Sequence, residues 1–401
     1  MSSITLAPAA PRTAGPAQLA LLLAGSCMPV LGAVLIAPVL PQMEDHFAGV
    51  SGADVLVPIV LAVPALLVGL AAPFAGLVVD AVDRKRLLIA AMVAYSIFGT
   101  APLYLQSLGA IIGSRVLVGI CEAAIMTCCT TLIADYWSGA RRSRYLGVQV
   151  LVAALSATVF LGVGGALGSA GWRTPFWLYA SAALIAVPML LLLWQPAAPE
   201  AGTGPRRLPP VPWRQLLTPC LVTIGGGAVF YALIVELSFV LDDAGVTATA
   251  TIGAISAVMS LATAAGSGAF AKLSGLSPRR LLPVAFGVSA AGFVVVAATG
   301  SVPVITVGAV LTGAGTGLLL PTLLTWAINR LRFEQRGRGT GLWTGALFLG
   351  EFLAPLLIAA LSAGTGGLRP ALAVLGALAA VLAVVAVLVV PRDAAALDVT
   401  T

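Results

Sequence analysis

Apolar residues run along this chain in long stretches, and charged residues gather in the short intervals between them. The stretches are too long and too evenly apolar for strands or for one-sided helices in water. At 1.5 Å of rise per residue, crossing a hydrocarbon core of about 30 Å takes about 20 apolar residues. Windows of that length predict spans at 17–40, 55–79, 87–105, 109–134, 145–168, 174–194, 216–240, 250–274, 281–299, 302–328, 339–361 and 369–390. Pro29, Pro64, Pro73 and Pro188 fall within them. Helices packed in a membrane bundle accommodate such residues as kinks. The pattern predicts an all-α membrane protein of twelve transmembrane helices.

The longest polar, Pro-rich interval, Gln195 to Pro212, separates six spans from six. Its composition reads as a flexible linker. The expected organisation is a disordered tail at 1–16, a six-helix bundle at 17–194, a cytoplasmic linker at 195–215, a second six-helix bundle at 216–390 and a tail at 391–401. The first span is too long, and lacks the Ala-x-Ala pattern, for a removable signal peptide. The halves echo each other. Gly171-Trp172-Arg173 matches Gly367-Leu368-Arg369, Arg142-x-Arg144-x-x-Gly147 matches Arg336-x-Arg338-x-x-Gly341, and Arg84-Lys85-Arg86 matches Arg279-Arg280. A shift of roughly 195 residues relates all three pairs. Such a parallel repeat forms a site between two lobes at mid-membrane.

Composition agrees, with 60% hydrophobic and 9% charged residues. A net charge of +6 raises the question of nucleic acid, and the distribution of the charge answers it. The loops on one side hold eighteen of the basic residues, the opposite loops hold Arg173 and Arg369, and Arg115 lies within a span. This asymmetry places both termini in the cytoplasm and leaves no soluble basic face for nucleic acid. Arg outnumbers Lys nineteen to two, a composition that suggests a GC-rich bacterial genome and hence a bacterial inner membrane. Cys27, Cys121, Cys128, Cys129 and Cys220 read as small packing residues without metal spacing, and His46 as a solvated loop residue. No nucleophile constellation, nucleotide motif or cofactor motif stands out, so neither an enzyme nor a cofactor is expected.

Four ionisable residues remain inside apolar runs: Arg115, Glu122, Glu236 and Glu351. A charge at mid-membrane costs about 3 kcal/mol on insertion scales and marks substrate paths or proton relays. Arg115 and Glu122 are seven residues apart on one helix face, with Gly119 between them. That is about 10 Å along the axis, too far for a direct ion pair. A shared cavity and a structural charge cluster both fit. Glu351 counts to the same depth as Glu122, where a carboxyl could carry a coupled proton or serve as a buried structural acid. Glu236 reads either as functional or as an interfacial charge reaching for water. Trp326 and Trp343, near helix ends, are expected in the aromatic belt.

Between spans two and three, Gly76-Leu-Val-Val-Asp80-Ala-Val-Asp83-Arg84-Lys85-Arg86 resembles the loop motif of the major facilitator superfamily. Gly76, Asp80, Arg84, Lys85 and Arg86 match; Ala81 and Asp83 depart from the pattern. Arg115-Val-Leu-Val-Gly119-Ile-Cys-Glu122 resembles that family's R-x-x-x-G motif, and Phe160-Leu161-Gly162-Val163-Gly164-Gly165 retains part of the glycine motif of its drug:proton antiporters without the Gly-Pro. The run Phe348-Leu-Gly350-Glu351-Phe352-x-x-Pro355 is similar to bacterial efflux members, where glutamine is more familiar at position 351. The resemblance implies a monomeric secondary transporter working by alternating access. The expected function is proton-coupled export of a small amphipathic organic molecule. Gly76, Asp80 and Arg84 to Arg86 would form a gate, and Gly119, Gly162, Gly164 and Gly165 would pack cavity helices. Proton symport of an organic anion, with Arg115 as the anion's partner, stays open. So does a membrane scaffold or sensor that transports nothing.

Overall fold

The computed structural model describes residues 13–75, 82–196, 212–332 and 335–391. Within them, twelve helices are long and apolar enough to span a membrane: α1 Pro16–His46, α2 Ala53–Ala71, α3 Arg84–Leu103, α4 Leu108–Tyr136, α5 Gly139–Gly168, α6 Thr174–Leu192, α7 Trp213–Asp243, α8 Thr249–Leu273, α9 Pro278–Ala297, α10 Val302–Ile328, α11 Arg336–Thr365 and α12 Leu368–Val389. The helices outrun several apolar windows by a few residues, because hydropathy reports the hydrocarbon core while polar end turns still satisfy their backbone within the helix. Gly76 and Asp80, the linker stretch 197–211 and most of both tails lie outside the described residues.

Local chemistry explains the helix ends. Asp83 caps α3 by accepting a hydrogen bond from the Arg86 amide at 2.9 Å. Ser107 caps α4 through the Ala110 amide. Gly366, at φ +82, stops α11 in a left-handed turn that side chains disfavour. Helix α1 leaves regular geometry at Cys27 and again around Ala37–Val39, where Pro29, Pro38 and Pro41 remove amide donors.

The same pairings recur in both halves. Helix α2 packs on α4 as α8 does on α10, α3 packs on α4 and α6 as α9 does on α10 and α12, and α1 packs on α5 as α7 does on α11. The Gly-x-Arg echo acquires a job in this arrangement. Arg173 donates to the carbonyls of Pro102 and Leu105 at and just after the end of α3, and Arg369 donates to that of Thr299 after α9. Each arginine braces an equivalent loop of its own bundle. Leu184, Leu191 and Leu388 lie exposed on the outside, a surface at home in lipid.

Two seams join the bundles, α2 against α11 and α5 against α8. Trp326 and Trp343 are not belt residues: both are buried within the second bundle. A position near a helix end does not say which face the residue takes, and both take the inner one.

Candidate functional site

A cavity of about 650 Å³ occupies the space between the bundles. Glu122 enters it from α4 and Glu351 from α11, both nearly inaccessible to solvent. Tyr231 of α7 lies with them, and the rest of the wall is mainly apolar, with Ser26, Thr130, Gln149 and Ser260 among its polar members. No Lys or Arg lines it among the described residues. On α4 the lining descends from Glu122 at the middle to Thr130, and on α5 from Leu161 to Leu146. Both series run toward the helix ends that meet the arginine-rich loops. The cavity therefore extends from mid-membrane toward the basic side.

On the other side the seam is closed. A side chain at Gly165 would overlap the Thr249 carbonyl and lie 2.7 Å from the Gly253 Cα on α8. Gly164 fits against the Leu35 carbonyl of α1. Gly119 brings α4 onto α2, where a Cβ would stand 2.7 Å from Pro64 Cα and O. Gly162 meets nothing within 4 Å of a hypothetical side chain, so packing does not require it.

The four intramembrane ionisable residues separate into three places. Glu122 and Glu351 share the cavity. Arg115 is fully buried inside the first bundle and outside the cavity wall. Its Nη1 donates to Tyr179 Oη at 2.7 Å, and its guanidinium lies 4.6 Å from the Tyr179 ring centroid and 5.4 Å from that of Phe176. A cation with no carboxylate in contact is thus held by one hydroxyl and two aromatic faces. Glu236 is buried two turns before the end of α7, with Glu44 of α1 as its electrostatic neighbour. It is buried rather than reaching for water, and it is not part of the cavity wall.

Around the loop motif, Arg84 pairs with Asp135 at the end of α4, and Arg86 lies 3.5 Å from Asp83. The backbone amide of Lys85 donates to Gln195 at 3.4 Å. The Arg84–Asp135 pair ties the α2–α3 loop to the basic end of α4 and is partly screened by water. Asp135→Asn is expected to loosen that end by about 1 kcal/mol. Trypsin cleavage after Arg84 and Lys85 should accelerate in proportion, and an unchanged rate would show that the pair holds nothing.

Sequence reasoning did not single out Tyr95, Tyr179 or Tyr231. Tyr95 donates to the Met28 carbonyl at 2.6 Å, and its ring lies 5.1 Å from that of Tyr179. A tyrosine inside an apolar run carries no charge, so only its packing against Arg115 and Glu122 distinguishes it.

The chain resembles known proteins along most of its length. It is 24% identical to the quinolone resistance protein NorA of Staphylococcus aureus over 200 residues, which is 48% of this chain and 50% of that protein. It is 33% identical to multidrug resistance protein 2 of Bacillus subtilis over 175 residues, 41% of each. The match thus spans half or less of either relative's length. Among solved structures, a bacterial homolog of the human lysosomal transporter Spinster, inward-facing and unoccupied, superposes with a TM-score of 0.70 at 17% identity, covering 96% of both chains. The human organic anion transporter MFSD10 superposes with a TM-score of 0.67 at 19% identity, covering 93% of this chain and all of that one. The model of the Major Facilitator Superfamily matches residues 22–274 and 220–400. With nearly the whole chain accounted for in this way, the protein belongs to the Major Facilitator Superfamily, a family of multi-pass membrane transporters rather than enzymes.

Proposed function

We propose that this transporter works by alternating access, exchanging protons for a small amphipathic organic molecule that it exports across a bacterial inner membrane. One observation carries the reading: an apolar cavity between the bundles is faced by one carboxyl group from each and by no Lys or Arg among the described residues. Such a wall favours guests with apolar bulk and a neutral or positive centre, since a buried anion would lack a compensating charge. A carboxyl group that holds either a proton or a guest's positive end makes the two compete, and competition at one site is the simplest basis for exchange. The names of the two bacterial relatives, resistance proteins for quinolones and for multiple drugs, support export. The loop arginines support a cytoplasmic opening for the cavity. Both bundles come from one chain, so the reading needs no second copy.

The placement of Arg115 favours this reading over anion uptake. Its guanidinium is engaged by Tyr179 and Phe176 inside the first bundle and does not line the cavity. Its charge acts on Glu122 from behind. The test compares purified wild type with Arg115→Lys, binding ethidium as a lipophilic cation and fluorescein as an organic anion. Lysine keeps the charge and loses the planar fork, so ethidium affinity should stay within about twofold while the pH profile of ethidium transport moves. Tight fluorescein binding that collapses in Arg115→Lys, with the pH profile intact, would overturn the export reading.

A further inference from the structure

Tyr231 reaches across the molecule. It stands on α7 of the second bundle with its ring buried, and its hydroxyl donates to the Ala33 carbonyl of α1 at 2.8 Å. The Leu61 carbonyl of α2 is the alternative acceptor at 3.3 Å. A phenol carries one proton and can serve one acceptor well at a time. Ala33 lies just before the break in α1 around Ala37–Val39. Carbonyls at the end of a helical segment lack the amides of a following turn, so an outside donor matters there. One hydroxyl of the second bundle therefore satisfies backbone of the first, inside the cavity.

Two further acceptors face the same space. Glu122 Oε1 is buried without a hydrogen-bond partner, and Glu351 lines the cavity opposite it. Tyr231 is within electrostatic reach of both. The titratable and charged groups around Glu122 are Arg115 and Cys121 on its own helix, Tyr95 on α3, Tyr179 on α6, Tyr231 on α7 and Glu351 on α11. Tyr95 already spends its proton on the Met28 carbonyl within its own bundle, and Tyr179 accepts from Arg115. Tyr231 is the donor among them that crosses between bundles.

We infer that Tyr231 is a positioning residue that converts the protonation state of the cavity carboxyls into movement of the bundles. While Glu122 and Glu351 hold their protons, the Tyr231 hydroxyl bonds to Ala33 and keeps α7 on α1. When either carboxyl ionises, it becomes a pure acceptor whose charge-assisted bonds are roughly twice as strong as neutral ones. It then draws the hydroxyl away from Ala33 and releases the contact. No bond between heavy atoms changes; the carboxyl O–H bond breaks, its proton passes to the solvent on the side to which the cavity opens, and one hydrogen bond changes acceptor.

This inference rests on the proton-coupled reading, and the test separates the two. Wild type and Tyr231→Phe are reconstituted as full chains in proteoliposomes, with ethidium as the probe. Wild type should move ethidium uphill under an imposed pH gradient. Tyr231→Phe removes only the hydroxyl and keeps the ring and both carboxyls, so ethidium affinity is measured alongside and fluxes are compared at equal occupancy. Uphill movement should fall at least about fivefold, and downhill flux should lose its pH dependence. Hydrogen exchange on unmutated protein gives a second measure. Once the intrinsic rise of exchange with pH is divided out, the amides of 33–37 and 39 should lose protection as pH rises, and Glu122→Gln/Glu351→Gln should abolish that loss. Tyr231→Phe with wild-type uphill transport and pH profile overturns the inference while leaving proton coupling intact. Lost ethidium binding with an unchanged pH profile makes Tyr231 a substrate contact and overturns it equally. Wild type that ignores the pH gradient removes the proton-coupled reading, and this inference with it.

Discussion

Glu351→Gln and Glu122→Gln are each expected to abolish uphill ethidium transport, with a loss of the hundredfold or more that removal of a proton-transferring group typically causes. Glutamine has nearly the shape of the protonated acid but cannot ionise, so each variant behaves as a permanently protonated site. Ethidium exchange down its own gradient should continue, and at high pH the variants should resemble wild type at low pH. The two effects should differ in context. Glu122 has Arg115 behind it in the first bundle, whereas no cation among the described residues acts on Glu351. Removing Glu122 therefore also leaves Arg115 without its electrostatic partner, and that variant should lose more stability in detergent. Measuring gradient-driven and exchange fluxes side by side checks the prediction. Two glutamine variants with wild-type uphill transport would leave the carboxyls without a role.

The second large effect concerns the seam between bundles. Gly165→Val inserts a branched side chain where even a Cβ would overlap the Thr249 carbonyl of α8. Overpacking costs about 1–3 kcal/mol when neighbours must shift. Here the bundles can part instead, so the cost falls on the state with this seam closed. A difference of that size moves a two-state population by roughly five- to 150-fold. Transport should drop by a comparable factor. A cysteine placed at the cavity-lining position Ala157 should become less reactive to an impermeant maleimide added from the basic side. Gly341→Val acts on the other seam, α2–α11, at its basic end, where a Cβ would stand 2.9 Å from the Ala72 carbonyl. It should preserve or raise that reactivity. Equal effects of the two wedges on accessibility would contradict movement of two rigid bundles.

The architecture was legible because lipid imposes a simple rule: backbone polar groups must be satisfied within a helix, so span lengths and loop charges are written in the sequence. The repeat was legible too, and Arg173 and Arg369 show why, since each does the same bracing job in its own half. Sequence alone could not say which way a helix faces. Glu122 and Glu351 share the cavity while Arg115, on one face of α4 with Glu122, turns into the bundle to meet Tyr179. Glu236 could be read from the sequence either as functional or as interfacial, because hydropathy does not report that its side chain is buried with Glu44 as its electrostatic neighbour. Tyr231 escaped notice because an uncharged residue in an apolar run gives no signal until its hydroxyl is seen against another helix's backbone.

The most direct test of proton-coupled alternating access is ethidium flux into proteoliposomes of the purified wild-type chain, with an imposed pH gradient as the only driving force and ethidium equal on both sides at the start. The account predicts accumulation against the ethidium gradient that collapses when nigericin dissipates the proton gradient, together with a matching proton flux in the opposite direction. Ethidium that stays equilibrated, or accumulation that survives nigericin, would contradict it.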